Sequence, residues 1–172
     1  PGPGASNSQG RGGLHGHVHV APDGTSWLPD KSCTDKQGGA ISIDAGTTPW
    51  SEFAVSGTND ITGQPFTTTP QADGADPSIA LDADSTAYYC YVNSEANSTE
   101  GHVHVAVGQR TPGTTTINWI RHVDFGTNPG LLNAAHPEAV VARPARLAAG
   151  VLAPNTRGEH AARDPARSRV VS

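Results

Sequence analysis

Short runs of alternating apolar and polar residues fill most of the chain from Leu14 onward. Nine of these runs, of 4 to 9 residues, are separated by turn-forming residues and predict β-strands: HVHVA, SWLP, GAISI, EFAVSG, SIALDA, AYYCYV, HVHVAVG, NWIRHVDFG and EAVVA. The segment 137–153 also has a helical pattern. Pro144 would interrupt a helix there, so two short strands around a turn are predicted instead. The pattern therefore predicts an all-β protein.

The runs repeat at a spacing near 60 residues. Asp23 falls on Asp84 at a shift of 61, and Pro77 falls on Pro137 at a shift of 60. Each unit holds roughly four strands, and repeats of this kind are typical of a β-propeller. We expect a first blade over 14–60, a second blade over 61–128 and the start of a third blade over 129–153.

The two ends of the chain differ in composition from its middle. Residues 1–13, PGPGASNSQGRGG, have too few apolar side chains to offset the entropy of ordering, so a disordered leader is predicted. The net charge of −5 combines 5 basic and 14 acidic residues over 1–142 with 6 arginines and 2 acids over 143–172. Arginine alternates there with Ala and Pro, without aromatic residues, so nucleic-acid binding is not expected. The Arg/Ala-rich tail 154–172 is predicted to be disordered.

The hexapeptide GHVHVA occurs twice, at 16–21 and at 101–106. In the repeat, the first copy is the first strand of its unit and the second copy is the third strand of its unit. Alternate side chains of a strand share a face, so each histidine pair has a spacing compatible with metal binding. No carboxylate or third histidine recurs at one offset from both copies. Ordinary strand residues that pack or line a channel are predicted, and a metal site is not.

The stretch SIDAGTTPW at 42–50 predicts a tight turn that ends under a tryptophan. Ser and Asp side chains bond to nearby backbone N–H groups, and Gly adopts a positive φ at little cost. The stretch resembles the Asp box of the sialidase superfamily, S-x-D-x-G-x-T-W. The matching residues are Ser42, Asp44, Gly46, Thr48 and Trp50, with Pro49 as an extra residue before the tryptophan. In a degenerate second copy, Gly108 and Arg110 replace Ser and Asp, while Gly113 and Trp119 are retained.

The resemblance extends from Leu14 to about Val141. It implies a partial, sialidase-like β-propeller of four-stranded antiparallel blades, from a family with six or seven blades in all. Because fewer than three blades are present, we expect an inactive fragment whose propeller is completed by the remaining blades of a parent chain. The parent would be an exported protein that acts on or binds glycans. The alternative is a non-catalytic propeller module for protein or carbohydrate partners.

The resemblance also implies three arginines that hold the substrate carboxylate, a Tyr nucleophile with a Glu partner, and an Asp acid/base. Before the tail, the chain has three arginines, Arg11, Arg110 and Arg121. They are assigned to the leader, to an outer turn and to an outermost strand. None is expected at an inner channel, so catalysis by this chain is not predicted.

A ligand site is expected at the channel mouth, where the innermost strands begin. The binding candidates there are His15, His17, Asp76 and His136, and the catalytic candidates are Asp76, His136 and Glu138. Alternatively, Asp76 and His136 bond to neighbouring backbone at bends before proline. The ligand would be a glycan or a protein.

Other features of the composition bear on location and chemistry. Cys33 and Cys90 allow one disulfide between blades, with two free buried thiols as the alternative. No apolar run is long enough for a membrane span, and no cofactor is predicted. Scarce lysine and the even cysteine count favour an extracellular or cell-surface location. Tyr89 and Tyr91 are expected to share a strand face that packs between blades.

Overall fold

The computed structural model of the protein describes residues 17–33, 36–55, 77–94, 101–124, 135–144, 146–153 and 167–171. Within these ranges the chain forms strands and turns and no helix, which confirms the all-β class. The strands are β1 (His19–Val20), β2 (Ser26–Cys33), β3 (Lys36–Ser42), β4 (Ser51–Ala54), β5 (Ser78–Leu81), β6 (Ala87–Ser94), β7 (Gly101–Arg110), β8 (Ile117–Asp124), β9 (Ala135–Arg143), β10 (Arg146–Ala153) and β11 (Arg167–Val171).

The strands form three antiparallel sheets in which strands consecutive in sequence pair with each other. The first sheet has the order β1-β2-β3-β4, the second β5-β6-β7-β8 and the third β11-β10-β9. The two copies of GHVHVA fall on β1 and β7, the first and third strands of their sheets, as the repeat predicts. The hairpin of β9 and β10 around Pro144 confirms two strands, and not a helix, over 137–153.

The tail differs from its predicted disorder at one place. Its last described residues form β11, which pairs with β10 from Ala149↔Val171 to Ala153↔Arg167. Pairing with an existing strand satisfies the backbone N–H and C=O groups of a segment that has little apolar surface to bury. Composition averaged over 154–172 does not reveal such a pairing. Residues 154–166 and the predicted leader 1–13 lie outside the described residues.

The second sheet is covered on both faces. Alternate residues of β6 point to opposite sides: Tyr88, Cys90 and Val92 pack against the third sheet, whereas Tyr89 and Tyr91 pack against the first. The shared face of the two tyrosines is therefore confirmed. The three sheets are stacked face to face, with β1 beside β5 and β5 beside β9.

The two interfaces of this stack differ in chemistry. Between the first and second sheets, Phe53 meets Trp27 and Tyr89 edge to face, with ring centroids 5.5 Å and 6.0 Å apart. The buried Tyr89 hydroxyl accepts a bond from Gly38 N (3.1 Å) and lies 2.7 Å from Gly38 O, to which it donates. Between the second and third sheets the buried side chains are mostly aliphatic, apart from Tyr88 and Cys90. The interface between the first and second sheets therefore depends more on hydrogen bonds and ring geometry than the interface between the second and third sheets does.

The Asp-box-like stretch forms the turn between β3 and β4. Gly46 has φ 82°, as predicted, and a side chain at this position would contact Trp50, whose Cζ2 atom lies 3.6 Å from an ideal Cβ. Ser42 donates its hydroxyl to Thr48 O at 3.1 Å. Asp44 contributes its carbonyl oxygen, which accepts bonds from the N–H and the hydroxyl of Thr47. Thus the turn forms as predicted, but the serine side chain bonds to a carbonyl and the aspartate acts through its backbone.

The corresponding turn of the second sheet joins β7 to β8. Ser26 pairs with Ser42 in the first sheet and Ala87 pairs with Gly108 in the second, so Gly108 occupies the serine position, as the alignment predicts. Gly113 in this turn has φ 73°. Trp119, opposite Gly108, donates its Nε1–H to Ala54 O of the first sheet at 2.9 Å. This tryptophan links two sheets, whereas Trp50 lies beside Gly46 in the turn that it ends.

Candidate functional site

The candidate site, which we call the inner-strand patch, consists of His17, His19, His136 and Glu138. The first two residues belong to the start of the first sheet, where His19 pairs with Trp27 in β1 and is half-buried, while His17 is exposed just before it. The side chain of His19 therefore shares the face of Trp27, toward the second sheet. The patch thus begins on the strand that lies beside β5.

The other two residues lie at the start of β9. His136 and Glu138 are exposed, whereas Pro137 and Ala139 are buried, as the period of a strand dictates. His136 has φ 48°, a left-handed conformation that is uncommon for a residue with a side chain. Such a conformation costs about 1–3 kcal/mol, and it directs the chain into β9 immediately before the proline. The predicted bend before Pro137 is therefore present.

The charge of Glu138, in one half of the patch, affects the pKa of His19 in the other half. Burial lowers the pKa of His19 below its ordinary value, the carboxylate of Glu138 acts to raise this pKa, and His17 acts to lower it. The net direction is downward, so the surroundings of His19 favour its neutral form. Glu138 on the third sheet is thus close enough to His19 on the first for its charge to be felt there.

The structure groups some of the predicted site residues. His17 lies next to β1, while His136 and Glu138 lie in β9, and the first strand of the second sheet, β5, lies beside both of these strands. His15 and Asp76 lie outside the described residues. His19 was not among the predicted site residues, although the alternation in GHVHVA places it on the same strand face as His17. The arrangement offers imidazole nitrogens and a carboxylate, which donate to and accept from hydroxyl groups.

The arginines of the first two sheets lie elsewhere, as predicted. Arg110, at the end of β7, donates to Asp23 Oδ2 at 2.6 Å and to the carbonyl oxygen of Thr114. Arg121 is exposed on the outermost strand β8. Arg11 lies outside the described residues. Arg110 and Arg121 are therefore not positioned to bind a carboxylate at the inner-strand patch.

A second polar cluster, which the sequence did not predict, is buried between the first and second sheets. His102 Nδ1 lies 2.9 Å from Asp124 Oδ2. His104 stacks on Tyr91 with ring centroids 5.2 Å apart. The register of β7 and β8 places His104 opposite Asp124, and this register is the signal that could have revealed the cluster. Its burial indicates a structural role.

The described part of the chain was expected to contain no metal site, and Cys33 and Cys90 were expected either to form a disulfide or to be free thiols. It contains no group of three or more His, Cys, Asp or Glu side chains arranged to hold a metal ion. Cys90 is a free, buried thiol, so no disulfide with Cys33 is formed. Burial, with a smaller contribution from the charge of Glu138, raises the pKa of Cys90 to about 12. Over the same residues, no helix is both long and apolar enough to cross a membrane.

The chain matches no protein-family model, and it matches no curated protein either.

Proposed function

We propose that the chain forms part of an exported, sialidase-like β-propeller that binds glycans at the inner-strand patch. The observation that carries this proposal is the stacking of three antiparallel sheets face to face, with their first strands side by side. A propeller places its innermost strands in this way around an axis. The Asp-box-like turn lies between the third and fourth strands of the first sheet, and in the sialidase superfamily that it resembles the Asp box has the same place in a blade.

The chemistry of the patch suits a polyhydroxylated ligand. Imidazole nitrogens donate and accept hydrogen bonds, and a carboxylate accepts from two or more hydroxyls. His17, His136 and Glu138 are exposed and can reach a ligand. Ligand sites in proteins commonly contain a few convergent polar groups that orient the ligand. Binding of sugar hydroxyls therefore requires no group beyond those already present.

Binding is better supported than hydrolysis. Glycoside hydrolysis of the usual kind needs two carboxyl groups on either side of the scissile bond, and the described residues of the patch provide one, Glu138. Arg110 is bound to Asp23 and Arg121 lies on an outer strand. For these reasons we keep a second candidate function, a non-catalytic propeller module for carbohydrate or protein partners. This module would use the same inner-strand patch to bind its partner.

The test is a glycan array probed with the 172-residue protein, together with a fluorogenic sialoside assay. We expect glycan binding that is weakened by Glu138→Gln and unaffected by Glu52→Gln, which changes an exposed carboxylate on β4. We expect no sialoside hydrolysis. Absence of binding to every glycan would refute the proposed ligand class, and hydrolysis of the sialoside would refute the expectation that this chain is inactive.

A further inference from the structure

The first sheet exposes apolar side chains at its first strand. Val20 of β1 and Val18, two residues before it, are 59% and 53% exposed. Because His19 faces the second sheet and the side chains of a strand alternate, these two valines point away from that sheet. Leu28 of β2 lies on the same face and is partly exposed. The first sheet therefore has apolar side chains in contact with solvent on its far side, at β1 and β2.

The equivalent positions of the other two sheets are buried between sheets. The turns after β1 and β5 have the same backbone hydrogen bonds, at positions shifted by 61 residues. Val18 therefore corresponds to Ile79 of β5, which is fully buried against the first sheet. From the pairing of first and second strands, Ile79 corresponds in turn to Ala139 of β9, which is buried against the second sheet. In both interfaces of the stack, the preceding sheet thus covers this position.

The third sheet exposes the complementary face. Val140 of β9 is 60% exposed, whereas its equivalent in β5, Ala80, is 5% exposed because the third sheet covers it. Ala148 pairs with Val140 on this face and is partly exposed. Gly150, also on this face, has no atom within 4 Å of an ideal Cβ. A following sheet would cover Val140 in the way that the third sheet covers Ala80.

We infer that a second copy of this chain covers both faces, with β1 of each copy packed against β9 and β10 of the other. The contact continues the existing interfaces, in which β5 packs against β1 and β2, and β9 packs against β5 and β6. Because the described chain has three sheets, two copies provide six, within the usual range of about four to eight for a closed propeller. A head-to-tail contact that is made twice closes into a ring without a free face. The inference rests on the propeller of the proposed function.

The second copy also completes the inner-strand patch. Within one chain, β5 lies beside both β1 and β9. In the dimer, β1 of the second copy lies directly beside β9 of the first. This contact places His17 and His19 of one copy next to the strand that carries His136 and Glu138 of the other. The ligand site of the ring therefore contains residues of both copies.

The experiment is sedimentation equilibrium of the 172-residue protein over a range of about 1 to 100 μM. We expect a particle of twice 17.7 kDa. Val20→Lys and Val140→Glu each place a charge in the contact, where burial without a partner is costly, so each should weaken dimerisation at least about tenfold. An equimolar mixture of the two variants should dimerise again. One contact of the mixed dimer has valine on both sides, and the other joins Lys to Glu.

The matched control is Ile120→Glu, which should leave dimerisation unchanged because Ile120 is 53% exposed on the outermost strand of the second sheet, outside both contacts. Circular dichroism checks that each variant is folded. A protein that stays monomeric at about 100 μM, as it would if further sheets of a longer chain cover these faces, overturns the inference. A mass that keeps rising with concentration indicates an open array and also overturns it.

A dimer that only one of the two charge substitutions weakens would be a pairing of like faces, and this result overturns the inference as well. The measured mass requires no ligand. Failure of the glycan-binding test therefore leaves the outcome of this experiment unchanged, and the two proposals can fail separately.

Discussion

Removing one hydroxyl group should loosen the contact between the first and second sheets. Tyr89 is fully buried, and its hydroxyl meets both the N–H and the carbonyl oxygen of Gly38, at 3.1 Å and 2.7 Å. Tyr89→Phe keeps the ring and its edge-to-face contact with Phe53, at 6.0 Å. The substitution therefore removes hydrogen bonds with little change in packed volume.

The magnitude follows from what the substitution leaves behind. A buried N–H that loses its partner costs about 1–3 kcal/mol, and the bond that the hydroxyl donates contributes about 1 kcal/mol more. We expect a total loss of about 2–4 kcal/mol in the free energy of unfolding, compared with about 5–15 kcal/mol for a typical domain. With a urea m-value of about 2 kcal/mol/M, the middle of the usual range, the unfolding midpoint should fall by about 1–2 M.

The measurement is urea denaturation followed by tryptophan fluorescence, combined with hydrogen exchange. The comparison variant Tyr88→Phe removes a hydroxyl that donates to Asp82 Oδ2, 3.0 Å away within the second sheet. Asp82 retains its bond from Thr86 N at 2.9 Å, so the loss there should be smaller, about 1 kcal/mol. Faster exchange in β3 is expected for Tyr89→Phe alone. A midpoint for Tyr89→Phe equal to that of the wild type would refute this account of the interface.

Three other substitutions or conditions test separate parts of the structure. Gly108→Ala would place a Cβ 2.7 Å from the ring of the tryptophan opposite, so we expect a loss of about 1–3 kcal/mol in thermal denaturation; Gly150→Ala, with no atom within 4 Å, is the control. Burial acts to raise the pKa of Asp23, but the hydrogen bonds from Arg110 and Thr25, together with the charge of Arg110, outweigh it and the pKa is lowered. A depressed carboxyl pKa stabilises the fold above its unfolded value and loses this effect as the pH falls through the folded pKa. The difference in melting temperature between the wild type and Arg110→Gln should therefore shrink below about pH 4, and a constant difference from pH 7 to pH 3 would contradict the ion pair. Because burial raises the pKa of Cys90 to about 12, peptide mapping after iodoacetamide treatment at pH 8 should find this thiol unmodified until the protein is denatured.

Local pattern was sufficient to predict much of the fold. Alternation along AYYCYV placed Tyr89 and Tyr91 on one face, because the side chains of a strand alternate whatever the strand packs against. The spacing of the repeat separated the two copies of GHVHVA into a first and a third strand. Gly46 was predicted to have a positive φ from turn chemistry alone, and it has one.

Contacts between residues distant in sequence could not be predicted in this way. Asp23 and Arg110 are 87 residues apart and meet only because two sheets stack. His102 and Asp124 meet because of the register of β7 and β8, which includes an irregularity between Val107 and Gly108. A register depends on turn geometry and on the facing sheet as well as on the residues of one strand. The candidate site was predicted only in part, for the same reason. The order of the strands indicated which residues lie near first strands, whereas the charges around these residues depend on how the three sheets pack.

The repeated hexapeptide shows how position in a sheet decides what identical residues do. In the first copy the histidines precede or lie in β1, an edge strand that pairs with β2 alone, so His17 is exposed and His19 is half-buried. In the second copy β7 pairs on both edges, and the first sheet covers one face, so His102 and His104 are buried. Burial excludes a ligand from the second pair and leaves the first pair accessible. The chemistry of a histidine motif in this chain is therefore set by the neighbours of its strand, and functional residues should be sought where a first strand meets solvent.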